Sequence, residues 1–478
     1  MKMSNDLIRF LFRDKQVEID LKKEQISPTT TVLRYLRETG CSTGTKEGCA
    51  EGDCGACSVV IASPDGKGKL HYKAVDSCLM FLPMIDGKQL ITVEDLESEG
   101  QLHPVQQSMA DCNGTQCGYC TPGFVMSLLA LSKDEKQPQR ADIEDALTGN
   151  LCRCTGYRPI LEAASRCTAS TAPDKFTEKE NETCRQLSAS ASLKTLSIDV
   201  NGQQYFRPAE LQGALSLLTT VSGLIPFSGA TDLALRVTKK HERLTPLLDL
   251  SAISELQQLT IGDNSILIGS GVTLESLRQK LRTHLPALTD MLDVFGSRQI
   301  RTLATIGGNL GSASPIGDLL PVLMAYGAEI LLQSEKGARE VTMTDFITGY
   351  RKTVRLPDEL ITGVRIPIPS PESTTRSYKV SKRKDLDIST VSAAIKLTII
   401  EGLVRDAVIA FGGMAAKTER ATLAETHLIG KPWDRIAAEA AADLVRSQFH
   451  PISDARSGAE FRSVAAGNLI LKFWNDSR

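Results

Sequence analysis

All twelve cysteines of this 478-residue chain lie between Cys41 and Cys184. A thiol-rich segment can fold around disulfides or around metal, and the choice constrains the rest of the architecture. The stretch "LIRFLF" (7–12) is broken by Arg9 and followed by Arg13, too short and too charged for a secretory leader. No apolar run approaches the length that spans a bilayer. The expected location is therefore cytoplasmic, where thiols stay reduced and disulfides are rare, so metal ligation is the better reading. A formal net charge of −2 gives no reason to expect a nucleic acid or a charged membrane surface as partner.

Length sets a prior of roughly three domains, and the hydrophobic pattern suggests where they lie. "VEIDL" (17–21) alternates as a half-buried strand does, and "TTTVLRYLRETG" (29–40) reads as a helix with Gly40 in the C-terminal capping place. "SVVIAS", a "PDGKGK" turn, "LHYKAV" and "QLITV" read as further strands. From about residue 102 the period becomes helical, in four short helices. One of them, "TPGFVMSLLALSK", has Thr121 as expected N-cap, Pro122 next, and Phe124, Leu128 and Leu131 on one face. Residues 169–192 are polar and aperiodic, as a linker would be. "LTIGDNSILIGSGVTLESLRQKL" then predicts two strands and a helix, "IPIPSPESTT" a second boundary, and "VSAAIKLTII" a strand before a helical C-terminus. The domains expected are 1–92, 93–168, linker 169–192, 193–370 and 371–478.

Cys49-x4-Cys54-x2-Cys57, with Cys78 as a later fourth ligand, has the plant-type [2Fe–2S] spacing. Such a cluster needs four thiolates and backbone N–H groups close to its sulfurs, and Gly48, Gly52 and Gly55 allow that approach. A second set, Cys117-x2-Cys120 and Cys152-x-Cys154, can surround either another cluster or a tetrahedral zinc ion. Arg153 between two of these cysteines either stabilises a reduced cluster or faces solvent. Cys41, Cys112, Cys167 and Cys184 have no site-like pairing and are expected to be packed or linker residues. The six histidines show no ligand spacing.

"EGCAEGDCGACSVV", "QCGYCTPGFVMS" and "NLCRCTGYRPI" resemble the two iron–sulfur modules of the xanthine dehydrogenase/aldehyde oxidase family of molybdenum hydroxylases. The resemblance implies a multidomain α+β chain: a β-grasp plant-type ferredoxin domain, a four-helix [2Fe–2S] domain, an α+β FAD-binding domain and an α+β C-terminal flavoprotein domain. It implies that both cysteine sets hold [2Fe–2S] clusters and that Gln116 lies near the pterin of a partner. Eukaryotic relatives continue into a molybdopterin domain. The match here, to cluster and flavin domains only, implies the small subunit of the two-subunit bacterial type. A large molybdopterin-binding subunit carrying the molybdenum would complete an (αβ)2 heterotetramer. The implied activity is purine oxidation on that partner, with electrons leaving through two clusters and FAD to NAD+. An equivalent subunit serving an aldehyde, nicotinate or aromatic thioester hydroxylase is the nearest alternative. More distant ones are a zinc-stabilised scaffold and a free-standing NADH:acceptor reductase.

The chain has no G-x-G-x-x-G after a strand, so the FAD domain is expected to be non-Rossmann. "PFSGATDL" (226–233) and "TIGGNLGSASPIGD" (305–318) combine glycine with Ser, Thr and Asn, which suits N–H groups wrapped around a pyrophosphate. Taken alone, each is a weak signal. The resemblance implies FAD contacts from Pro226, Phe227, Ser228, Gly229, Ala230, Thr231, Asp232 and Leu233. From the second loop it implies Thr305, Ile306, Gly307, Gly308, Asn309, Ser314 and Asp318. Phe295, Ile361 and Lys379 match further flavin contacts; without the family they read as core residues and a solvated charge. Tyr350 in "GYRKT" is the NAD+ candidate. Leu386 stands where some relatives carry an acid, which bears on the choice of NAD+ over oxygen.

Overall fold

The computed structural model describes residues 6–134, 137–168, 174–190 and 195–477. The chain groups into two compact units. The first takes the described residues up to Ala214 together with Val221–Ala252 and Ser297–Ala304; the second takes Leu215–Thr220, Ile253–Gly296 and Thr305 onward.

The first unit opens with a five-stranded mixed sheet in the order Lys15–Asp20, Leu7–Phe12, Gln89–Ile91, Ser58–Pro64, Leu70–Asp76. Leu7–Phe12 pairs antiparallel with Lys15–Asp20 and parallel with Gln89–Ile91. Both faces of this sheet are covered. Ile8, Phe10, Val59 and Ile61 share one core with helix Val32–Glu38, while Leu11, Val60, Ala62 and Tyr72 face the helical domain. A strand buried on both faces has no polar register, which explains the unbroken apolar run of "VVIA" (59–62). Helix Val32–Glu38 is capped by Thr31, whose hydroxyl accepts from Arg34 N–H. It ends at Thr39, and the left-handed residue beyond it is Cys41 rather than the expected Gly40.

Four helices follow, Pro104–Asp111, Thr121–Asp134, Arg140–Leu147 and Arg158–Thr168. Thr121 is the first helical residue, not the cap: the carbonyl of Cys120 accepts from Phe124 N–H. Of the stretch expected to be a linker, 169–173 and 191–192 lie outside the described residues. The described part, 174–190, is helical (Lys175–Glu178 and Glu180–Ser190). Phe176, Cys184 and Leu187 are buried in the same core as the four helices, so a few well-spaced apolar residues outweigh the polar composition. Asp174 starts this strap by capping Thr177 N–H and meeting His103 Nε2 at 2.8 Å and Lys133 Nζ. Burial alone would raise Asp174, but those hydrogen bonds hold its carboxyl well below the usual range.

A four-stranded sheet completes the unit: Leu196–Val200, Gln203–Arg207, Leu247–Asp249 and Ile225–Phe227, the last three mutually parallel. Arg207 forms a buried pair with Asp86 and donates to Pro83 O, joining this sheet to the first domain. Phe227 packs edge-on against Phe81.

The second unit has a five-stranded antiparallel sheet, Leu259–Ile261, Ser265–Gly269, Leu360–Pro367, Glu329–Ser334 and Gly337–Thr342. Its C-terminal part is an antiparallel sheet, Ser373–Val380, Val391–Ile400, Leu403–Gly412 and Glu419–Arg420. Helices Thr422–Leu428, Arg435–Gln448 and Ala459–Asp476 pack with it around one core. No helix among the described residues is long and apolar enough to cross a membrane.

Candidate cluster and flavin sites

The loop Cys49–Cys57 is bent by three left-handed residues, Ala50, Gly52 and Gly55. Each glycine has its own reason. A Cβ at Gly48 would sit 2.8 Å from Cys54 Sγ, one at Gly52 would strike Leu79 and Ile300, and one at Gly55 would strike the backbone of Gly149 and Asn150. The four thiols neighbour one another in two pairs, Cys49 with Cys54 and Cys57 with Cys78. Backbone N–H groups of Glu51 and Asp53 donate to Cys49 Sγ at 3.4 and 3.3 Å. The Cys54 thiol and those donors bring Cys49 down to about 5, while Cys54 moves up.

The second set also pairs, Cys117 with Cys154 at 3.6 Å and Cys120 with Cys152. Burial, then the Cys152 thiol, pushes Cys120 up to about 12. Cys152 Sγ accepts from Thr155 N–H at 3.5 Å, and Cys152 N–H donates to the Tyr157 hydroxyl at 2.9 Å. No three His, Cys, Asp or Glu side chains among the described residues are placed to hold a single metal ion. Thiols in twos, with N–H donors on their sulfurs, fit a two-iron cluster, in which each iron takes two thiolates. Cys117, Cys154, Gln116 and Arg153 are exposed, and Arg153 makes no ion pair among the described residues. Tyr119 and Tyr157 are exposed beside them. Cys112, Cys167 and Cys184 are packed, as expected, and Cys41 is exposed.

The two cysteine loops touch. Leu151 N–H donates to Cys54 O at 3.0 Å, and Asn150 Nδ2 donates to Gly55 O and Ser58 Oγ at 3.0 and 3.2 Å. Asn150 Oδ1 in turn accepts from Ser127 and from Gln299, whose side chain is fully buried. Neither Asn150 nor Gln299 stands out in the sequence, because a buried amide hub has no spacing signature.

The loop 226–233 leaves the carboxyl end of a parallel strand and enters helix Leu233–Thr238. Ala230 is left-handed. Among the described residues no group accepts from the backbone N–H of Ser228, Gly229, Ala230 or Thr231. Successive free N–H groups around a left-handed residue form a cradle for an anionic oxygen, so this loop fits a pyrophosphate. Gly229 is required by packing: a Cβ there would meet the carbonyl of Leu303.

The loop 305–318 differs from its expectation. Ile306 N–H donates to Val272 O, Gly307 N–H to Ser270 O, Gly308 N–H to the Thr305 hydroxyl and Asn309 N–H to Thr305 O. These backbone donors are engaged because the segment bridges to Thr273 and then coils into helix Ile306–Ser312. What this loop keeps available is side-chain chemistry, with Asn309 Oδ1 buried and unpaired. Asp318 is buried against Lys379 Nζ at 3.0 Å and the Ser389 hydroxyl at 2.5 Å, and Lys379 also reaches Val294 O at 2.9 Å. Lys379 is thus a buried charge. Ser314 accepts from Ile316 N–H, Ile361 is buried, and Phe295 is half-buried. Tyr350, on the turn between Ile347–Gly349 and Lys352–Thr353, is 63% exposed. Leu386 is left-handed.

Comparison with known proteins gives three domain matches. Residues 92–165 match the [2Fe-2S] binding domain, 199–369 the FAD binding domain in molybdopterin dehydrogenase, and 376–477 the CO dehydrogenase flavoprotein C-terminal domain. A xanthine dehydrogenase of Emericella nidulans is 33% identical over 99% of this chain, which spans 39% of that relative's length. Among solved structures, a Cu,Mo-CO dehydrogenase chain is 30% identical, with a TM-score of 0.53 over 56% of this chain and 94% of its own. Quinoline 2-oxidoreductase from Pseudomonas putida 86 is 26% identical, with a TM-score of 0.52 over 56% of this chain and 96% of its own.

Proposed function

Because this chain belongs to the molybdenum hydroxylase family, we propose that it is the iron–sulfur and FAD electron-transfer subunit of a bacterial xanthine dehydrogenase. The observation that carries the reading is the pairing of eight cysteines two by two in loops joined by the Leu151 N–H to Cys54 O hydrogen bond. When bound, the clusters carry single electrons, and FAD collects two and delivers hydride to NAD+. The chain's residues hold these groups. Cys49, Cys54, Cys57 and Cys78 ligate the plant-type cluster, and Cys117, Cys120, Cys152 and Cys154 the helical one. Ser228, Gly229, Ala230 and Thr231 present N–H groups to the FAD pyrophosphate; Pro226, Phe227, Asp232 and Leu233 frame them. Asn309 and the Asp318–Lys379 pair supply further polar contacts, with Thr305, Ile306, Gly307, Gly308 and Ser314 shaping the second loop and Phe295 and Ile361 its apolar side. Tyr350 is the candidate NAD+ contact.

The exposed patch of Gln116, Cys117, Tyr119, Cys154 and Tyr157 is the face we assign to a large molybdopterin-binding subunit, Gln116 lying nearest the pterin, in a cytoplasmic (αβ)2 assembly. Its substrates are hypoxanthine and xanthine. The solved relatives favour a second reading at the level of substrate alone: the same electron-transfer role beside a hydroxylase for another small molecule. The test is an anaerobic absorption spectrum of the purified chain before and after NADH. Bleaching of both flavin and iron–sulfur bands supports the clusters, FAD and NAD+ together. Bleaching by dithionite but not NADH removes NAD+ from the scheme, and a colourless protein without iron or flavin refutes it. Turnover of purines by the complex with its large subunit decides between the substrates.

A further inference from the structure

Helix Leu233–Thr238 begins at the open N–H loop and ends at its C-cap, Lys239. From there the Lys239 ammonium reaches the plant-type cysteine loop. Its Nζ donates to the carbonyl of Cys49 at 3.1 Å and lies 3.3 Å from the Glu51 carboxylate. Cys49 is also the residue whose sulfur receives the two N–H donors from Glu51 and Asp53. A cation, a carboxylate and two peptide dipoles therefore converge on one ligand residue. Glu51 and Asp53 lie in the loop, and Lys46 and Glu47 directly precede it. Among the described residues, Lys239 is the side-chain cation bonded to a residue that carries a plant-type ligand. A lysine at a helix C-terminus is unremarkable by itself, since it complements the helix dipole. Here its hydrogen bond goes to the cysteine peptide instead of its own helix's last carbonyls.

We propose that Lys239 is a positioning residue that poises the plant-type cluster to take up an electron, and the proposal rests on the cluster assignment above. Reduction adds one negative charge, and a cation bonded to the ligand's peptide lowers the free energy of that state relative to the oxidised one. The Glu51 carboxylate offsets part of this, so the balance between the two side chains sets the poise. The same six-residue helix joins Lys239 to the proposed pyrophosphate loop, which ties cluster poise to the geometry of the flavin site.

The test is an EPR-monitored redox titration of the full holoprotein, with the helical cluster as internal reference. In Lys239→Met the reduced-to-oxidised ratio of the plant-type cluster at fixed potential falls about threefold to tenfold, equivalent to ~28 to ~59 mV for one electron. The helical cluster stays put, and Lys239→Arg restores most of the ratio. Glu51→Gln shifts the ratio in the opposite direction and provides the measurement if Lys239→Met does not assemble. A change within twofold in both the Met and Gln variants overturns the proposal. So does an equal shift in the Met and Arg variants, or a parallel shift of both clusters, since either reports packing instead of charge. Absence of a plant-type signal from the unaltered protein refutes the cluster assignment, a separate failure.

Discussion

Replacing Gly229 by alanine tests the proposed pyrophosphate loop most directly. The added Cβ would overlap the carbonyl of Leu303 and come within 3.1 Å of Ala304 N. Both are backbone atoms. The helix Arg298–Leu303 that carries them is anchored by Gln299 in the amide hub and by the buried Arg301–Asp145 pair, so it has little freedom to retreat. The loop must move, and it is the loop whose N–H groups are free to hold an anion. Over-packing of this kind costs about 1–3 kcal/mol. If that cost falls on the bound geometry, FAD affinity drops between about fivefold and 150-fold, at ~1.4 kcal/mol per factor of ten. The assay is FAD titration of the deflavinated variant by flavin fluorescence. Circular dichroism and the iron–sulfur absorption serve to show that the rest of the chain is intact. A variant that melts lower but binds FAD as tightly as the parent refutes the assignment of this loop, because the strain would then reside away from the ligand.

Other substitutions probe other parts of the chain. Cys54→Ser removes one thiolate of the plant-type set, and its EPR signal disappears while the helical cluster's remains; retention of both signals contradicts the ligand set. Gln299→Ala strips partners from Ser127 and Asn150 in a buried hub, costing about 1–3 kcal/mol, which a thermal melt reads as a lower midpoint. Lys88 gives a pH signature. Burial, reinforced by the Arg207 charge, takes it from 10.5 to about 8, so holding it protonated in the fold costs about 3 kcal/mol below pH 8. Between pH 8 and 10 the unfolded chain binds the extra proton, and stability rises with pH. Lys88→Met is therefore more stable than the parent at pH 7 and loses that advantage by about pH 10; a pH-independent difference in melting temperature contradicts this.

Much of the architecture was legible because it is encoded over short distances. The strands of "VEIDL", "SVVIAS" and "VSAAIKLTII" and the four helices after residue 102 follow from local periodicity, and they form as expected. The cysteine spacing likewise places Cys49, Cys54 and Cys57 on one loop, where chain geometry alone brings thiols near one another. Boundaries were less legible where a neighbour decides them. Cys41, not Gly40, takes the left-handed position, and Cys120, not Thr121, caps its helix. The polar stretch 174–190 is helical because Phe176, Cys184 and Leu187 find a core that its composition does not reveal.

The glycine loops mark the limit of reading a chain residue by residue. Both carry the same residue types, and both were expected to offer backbone donors. By itself the sequence determined the grouping of cysteines in short loops, the alternating sheets and helices, and the places where the backbone could turn tightly. Tertiary structure decided which N–H groups stay free. Among the described residues those of 228–231 have no acceptor, whereas those of 306–309 are taken by Ser270, Val272 and Thr305. It also decided that Lys379 is a buried partner of Asp318, that Asn150, held by Gln299, joins the two cysteine loops, and that Lys239 reaches Cys49. The reason is physical. A residue's propensity is a property of its own backbone and side chain, but the satisfaction of a polar group depends on what folds against it, often a hundred or more positions away.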